Sequence, residues 1–271
     1  QAGSSLSDIV TSASPTTEGH YLIRGQKIFI SGGDHQATDN FVHLTLARIE
    51  GAPAGTRGIS LFVVPKLRPE EDGTLKHNHV VAVADFQKLG QRGYSTVHLV
   101  YGEHGDCHGY LVGEPHQGLK YMFQMMNGAR IDVGMTAAST ATAAYYASLQ
   151  YAMERPQGRK LTGSGTKNVS ESQSLIIGHP DVRRMLLLQK AVVEGSLSLL
   201  VECSKYADLA HVDTTDVGSN SQLLLELLTP VAKTYPAEMG RVAINNGLQV
   251  LGGYGYCMDF PLQQYLRDIR I

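Results

Sequence analysis

Four small groups of residues have types and spacings that suit chemistry. Phe29 and Ser31 stand two apart in Lys27-Ile28-Phe29-Ile30-Ser31. On a regular strand they share one face about 6.6 Å apart, so an aromatic surface covers a flat ring while a hydroxyl reaches its edge. An ordinary half-buried strand carries the same alternation. Asn127 and Arg130 lie one helical turn apart and face one side. The guanidinium there suits an anionic, hydrogen-bonding ligand, and a solvated arginine on a helix surface is the plain alternative. Arg155 closes a long helical stretch, where the dipole alone favours a cation. Gln249 precedes Gly252-Gly253, where the missing Cβ lets a ligand approach the backbone closely. Taken alone, Gly252-Gly253-Tyr254-Gly255 is equally a helix stop and turn.

Other candidates carry less. His77 and His79 alternate, but no third ligand stands at a sensible spacing, so no metal site is expected. Met122, Met125 and Met126 read as adaptable core packing. Glu154, Glu171 and Glu202 read as solvated charges. The 271 residues hold 23 Lys+Arg against 25 Asp+Glu, a net charge of −2, with no basic run. That balance argues against a nucleic-acid partner. No apolar run approaches the length of a membrane span. Three scattered cysteines, Cys107, Cys203 and Cys257, without a CxxC pair, suit a reducing, cytoplasmic compartment and exclude a structural zinc site or a disulfide framework.

These groups need elements to position them. Residues 1 to about 105 read as short strands with Gly/Pro turns. Tyr21 to Ser31 reads as two runs around a turn at Gly25. Phe41 to Arg48 alternates, with Val42, Leu44 and Leu46 on one face and His43 and Thr45 on the other. Ile59–Val64 and Thr96–Tyr101 follow. From Gly118 the period becomes helical, and Leu119 to Glu154 predicts one long helix. Thr162 to Ser174 predicts an exposed polar loop. His179-Pro180-Asp181 opens a second helix, a third is expected over about Ser221–Leu248, and a fourth follows Pro261. The fold class is α+β, an antiparallel β-barrel or sandwich over 1–112 followed by an up-down bundle of long α-helices over 113–271.

Several motifs, in order, resemble the middle and C-terminal parts of the acyl-CoA dehydrogenases, flavoenzymes that desaturate acyl-CoA thioesters. They are Ala2-Gly3-Ser4, Lys27 to Ser31, Gly55-Thr56-Arg57-Gly58-Ile59-Ser60-Leu61-Phe62, Lys88-Leu89-Gly90 and Leu111-Val112-Gly113-Glu114. Met126-Asn127-Gly128-Ala129-Arg130, Glu154-Arg155, His179 to Arg184, Gln249 to Gly253 and Gln264 to Asp268 continue the match. Gly158-Arg159 and the polar loop resemble the larger members, of the 3-methylmercaptopropionyl-CoA dehydrogenase type.

The resemblance implies FAD as cofactor, contacted by Phe29, Ile30 and Ser31, with Arg155, Gln157, Gln249, Gly252 and Gly253 serving the FAD of a neighbouring subunit. It thus implies a homo-oligomer, dimer or tetramer. Ser4, Asn127 and Arg130 are implied to meet the acyl-CoA, and an electron-transfer flavoprotein is the implied electron acceptor. Gly158 stands where a bulky aromatic is common in the family. The family's catalytic glutamate falls just beyond Arg267-Asp268-Ile269-Arg270-Ile271, or in some members at the position of Ala129, so no residue here matches it. The expectation is therefore the ordered part of a longer enzyme, without its N-terminal helical domain and C-terminal tail. The alternative is a homologue that keeps the fold as a non-catalytic binding or assembly module.

Overall fold

The computed structural model describes residues 2–270. It divides into two compact units, Gln1–Lys88 with Arg92–Met126, and Leu89–Gln91 with Asn127–Ile271. The domain boundary expected at 112/113 precedes the packing boundary at 126/127.

The first unit is a closed sheet. Its strands are β1 (Ser12–Pro15), β2 (Tyr21–Ser31), β3 (Val42–Ile49), β4 (Ile59–Pro65), β7 (Val80–Asp85), β8 (Thr96–Tyr101) and β9 (His108–Leu111), beside a hairpin of β5 (Leu67–Pro69) and β6 (Leu75–His77). The order is β1-β3-β4-β9-β2-β8-β7, and β1 also pairs with β2, so five strands form a ring that β8 and β7 extend. Every pair is antiparallel except β1 with β3. Closure leaves the five ring strands without free edges. Ile23, Phe62, Val64, Val80, Val97, Leu99 and Tyr101 fill the interior.

One strand expectation is corrected. Gly25 is no turn, since β2 runs through it as one strand of 11 residues. A Cβ at Gly25 would meet the Thr11 Cα at 2.9 Å, and its φ is +143°. Glycine is needed because another backbone passes close, where β2 changes partners from β1 to β8. On β3 the expected alternation holds, with the His43/Thr45 face turned inward. Val42 and Leu44 are 63% and 45% exposed, while Thr45 and Ala47 are buried. Thr45 hydrogen-bonds Tyr101, while His43 meets the Gly33 carbonyl through Nε2 at 2.9 Å and lays its ring edge-on to Tyr101 at 6.1 Å.

Three long helices and a short one follow: α1 (Gly118–Glu154), α2 (Pro180–Val212), α3 (Asp216–Val250) and α4 (Leu262–Asp268). Pro180 opens α2 with Asp181 in its first turn, as the sequence predicts. The third helix starts five residues before the expected Ser221, because the Thr215 side chain caps it by accepting from the Val217 N–H at 3.2 Å. Val217-Gly218-Ser219-Asn220 looks like loop by propensity, and the cap overrides it.

Within the second unit, small residues set the helix register. A Cβ on Gly134 of α1 would strike the Ala232 carbonyl of α3 at 2.2 Å; one on Gly240 would meet Ile269 at 2.7 Å and Ala141 at 3.2 Å; one on Gly247 would lie 3.6 Å from Ser148. Positions rising along α1 meet positions rising along α3, so these two helices run parallel. Helix α2 runs the other way: Gln189 meets Ser148 through a 2.9 Å hydrogen bond, and Leu200 meets Gly134. The arrangement is up-down-up, and the C-terminal ends of α1 and α3 lie together.

Two outcomes follow from these contacts. Gly25→Ala strains the backbone and collides with Thr11, and should lower unfolding free energy by about 1–3 kcal/mol in urea denaturation. Lys27, half-buried with its ammonium donating to the Leu46 carbonyl at 2.8 Å, has its pKa pushed down by burial to about 8 from the usual 10.5. Between those values the unfolded chain binds the proton and the folded one does not, so stability should rise with pH over that window. In Lys27→Met that component of the slope should vanish; an unchanged slope in urea midpoints against pH would contradict it.

Candidate functional site

The shared end of α1 and α3 is open to solvent. The chain leaves α1 at Arg155, whose N–H still bonds the Tyr151 carbonyl at 2.9 Å. The segment is then pinned by a short ladder: the Ile176 N–H to the Arg155 carbonyl at 2.9 Å, the Gln157 N–H to the Ser174 carbonyl at 2.9 Å, and the Ser174 N–H to the Gly158 carbonyl at 3.0 Å. The His179 ring also meets the Gln157 carbonyl at 2.7 Å. Beyond the ladder, 162–174 is the exposed loop that its composition predicts.

At the end of α3 three glycines differ in their reasons. Gly252, at φ +59°, is the left-handed residue that stops the helix. Gly255 is forced by close return, since a Cβ would lie 2.2 Å from the Leu248 carbonyl. Gly253 has no positive φ, and a Cβ there would enter open space. Nothing in its own fold requires glycine at 253.

These segments enclose a cleft of about 560 Å³, lined by Tyr151, Arg155, Gln157, Gly252, Gly253 and Tyr254 among others. Four residues singled out in the sequence, from two segments nearly a hundred positions apart, therefore share one wall. Gln249, exposed on the last turn of α3, lies outside that lining. Tyr151 and Tyr254 were not singled out, although one stands a helical turn before Arg155 and the other within the glycine run. An exposed arginine between two helix C-termini favours an anion within reach, and the glycines leave backbone open to it.

In the β unit, Phe29 and Ser31 are both exposed, and Ile30 is half-buried against the barrel core. Regular strand spacing does not hold here. Lys27 faces Leu99 and Ile30 faces Val97, three residues against two, and Phe29 takes φ +58° in the resulting bulge. A left-handed aromatic is uncommon, and such bulges re-aim side chains near functional sites. The Phe29 ring is 65% exposed and rests against Phe86 at 4.7 Å. Ser4 is exposed in the turn before a 3-10 helix at Leu6–Asp8, where the Ser5 hydroxyl bonds the Asp8 carboxylate.

On α1, Arg130 donates to the Asn127 carbonyl oxygen at 3.3 Å, so the pair acts from one helix face. Of the three carboxylates, Glu154 pairs with Gln150, Glu171 lies in the polar loop, and Glu202 pairs with Lys205. His79 takes φ +53° between β6 and β7, and no group of three metal-binding side chains occurs among the described residues. Two distant motifs meet in the helical unit. The Gln91 N–H donates to the Asp268 carboxylate at 2.7 Å, and a Cβ on Gly90 would strike the Arg267 carbonyl at 2.5 Å. Ile271, the last residue of that motif, lies outside the described residues.

Comparison with known proteins sets this geometry in a family. The family model for the acyl-CoA dehydrogenase C-terminal domain matches residues 116–271. The chain is 41% identical over its whole length to a 3-methylmercaptopropionyl-CoA dehydrogenase of Ruegeria pomeroyi, and 37% identical to a butyryl-CoA dehydrogenase of Syntrophomonas wolfei. It spans 45% of the length of each of these relatives. Its fold is also that of an acyl-CoA dehydrogenase from Bacillus anthracis solved with FAD, at a TM-score of 0.77 and 22% identity over 99% of this chain and 42% of that one. No helix among the described residues is long and apolar enough to cross a membrane. Because the family model covers more than half of the sequence, the chain belongs to the acyl-CoA dehydrogenase family.

Proposed function

We propose that this chain is the cofactor-holding and CoA-binding part of an FAD-dependent acyl-CoA dehydrogenase that desaturates an acyl-CoA thioester between its α and β carbons. The observation that carries the proposal is the single cleft formed by Arg155, Gln157, Gly252 and Gly253. An open wall without Cβ atoms beside a guanidinium fits a dinucleotide with its pyrophosphate. FAD, when bound, supplies the acceptor for the hydride that leaves the β-carbon.

The residues of the chain do the rest. Phe29 offers an exposed aromatic face and Ser31 a hydroxyl for the flat ring, and Ile30 offers its backbone. Arg155 holds negative charge, Gln157 and Gln249 supply amides, and Gly252 and Gly253 keep the backbone accessible. Asn127 and Arg130 grip the CoA portion, with Ser4 contacting substrate. The ring-facing residues belong to one unit and the cleft to the other, and we assign the cleft to the FAD of a second copy, which makes the working enzyme a homo-oligomer. An electron-transfer flavoprotein is the proposed acceptor, in the cytoplasm. The α-proton requires a carboxylate, and no residue of this chain is matched to that role; in this reading the base follows Ile271 in the intact enzyme.

The intact protein should purify yellow, with a flavin absorption band that an acyl-CoA bleaches. Arg155→Ala should weaken FAD binding by about tenfold to a hundredfold, the loss expected for a charge-assisted hydrogen bond, read by flavin fluorescence on titration. Arg130→Ala should raise KM for acyl-CoA by about tenfold or more and leave FAD affinity unchanged. Intact protein that stays colourless with added FAD would overturn the proposal.

A further inference from the structure

The cleft also contains an aromatic surface with no assigned role. Tyr254 follows Gly253 directly and is 47% exposed. Its ring packs edge-on against Tyr151 at 6.4 Å and Phe260 at 5.6 Å, and those two meet each other at 5.6 Å. Three rings meeting edge to face brace one another, so Tyr254 is held at the cleft wall at little conformational cost. The lining therefore combines a cation, a glycine floor and one braced, half-exposed aromatic.

We infer that Tyr254 is the stacking platform for the adenine ring of the dinucleotide, with Arg155 holding the phosphates beside it. This rests on the reading of the cleft given above and adds the residue that recognises the base. The chemistry points to this end of the ligand: a purine has two π faces and binds aromatic surfaces, and a phosphate seeks the guanidinium in the same cleft. The redox ring is already served by Phe29 and Ser31. Tyr151, the other ring in the lining, is more buried, so stacking falls to Tyr254. The volume of about 560 Å³ lies within the range of sites that take a nucleotide-sized ligand.

The test is FAD affinity of the intact protein, by flavin fluorescence, for wild type, Tyr254→Phe and Tyr254→Leu, with ADP as competitor and thermal unfolding of each apoprotein as a control for packing. Tyr254→Phe should bind FAD within about twofold of wild type. Tyr254→Leu keeps an apolar side chain but removes the π face; assayed below the melting temperature of its own apoprotein, it should lose FAD and ADP affinity by the same factor, about tenfold or more. If Tyr254→Leu binds both as wild type does, or loses FAD affinity without losing ADP affinity, the stacking role is overturned while the cleft assignment stands. Wild-type protein that binds neither FAD nor ADP overturns both.

Discussion

The close, parallel packing of α1 on α3 is the constraint from which the candidate site follows. Parallel helices bring like ends together, and here both are C-terminal ends, with carbonyls exposed and partial negative charge. Gly134 against Ala232, Ala141 against Gly240 and Ser148 against Gly247 fix how far each helix extends beyond the other. Larger side chains at those positions would push the axes apart and slide the register. Arg155 and Gly252 would then no longer share a wall. Helix α2, buried through Gln189, Val193 and Leu200, holds the pair from the side without entering the cleft.

The barrel follows a similar logic, with backbone proximity deciding more than side-chain volume. Strand β2 serves β1, β9 and β8 in turn, and it does so through a glycine that admits Thr11 and a bulge that turns Phe29 outward. The same bulge keeps both Lys27 and Ile30 on the side facing Leu99 and Val97. The strand thus packs the core with one set of residues and displays an aromatic and a hydroxyl with the other. Its aromatic is displayed at the cost of a strained backbone, as is common where a chain is shaped for a ligand.

Much of this was legible in the sequence. The 3.6 period of Leu119–Glu154, the Pro180-Asp181 start and the polar loop carried their own signals, because each depends on neighbours a turn away. The four cleft residues stood out by type and by the order of the motifs around them. What escaped depends on distant contacts. The two faces of β3 could be told apart but not which one is inward: Thr45 and His43 meet Tyr101, and only the closed ring brings that phenol opposite them. Gly25 read as a turn because its real neighbour, Thr11, lies far along the chain. Tyr254 looked like part of a helix stop, since the pair that braces it, Tyr151 and Phe260, comes from different elements.

A structure of the intact protein determined with FAD tests the central claim most directly. The account places the pyrophosphate within hydrogen-bonding distance of the Arg155 guanidinium, with the dinucleotide lying over the backbone of Gly252 and Gly253. Density for FAD elsewhere, with this cleft filled by other protein side chains, would contradict it.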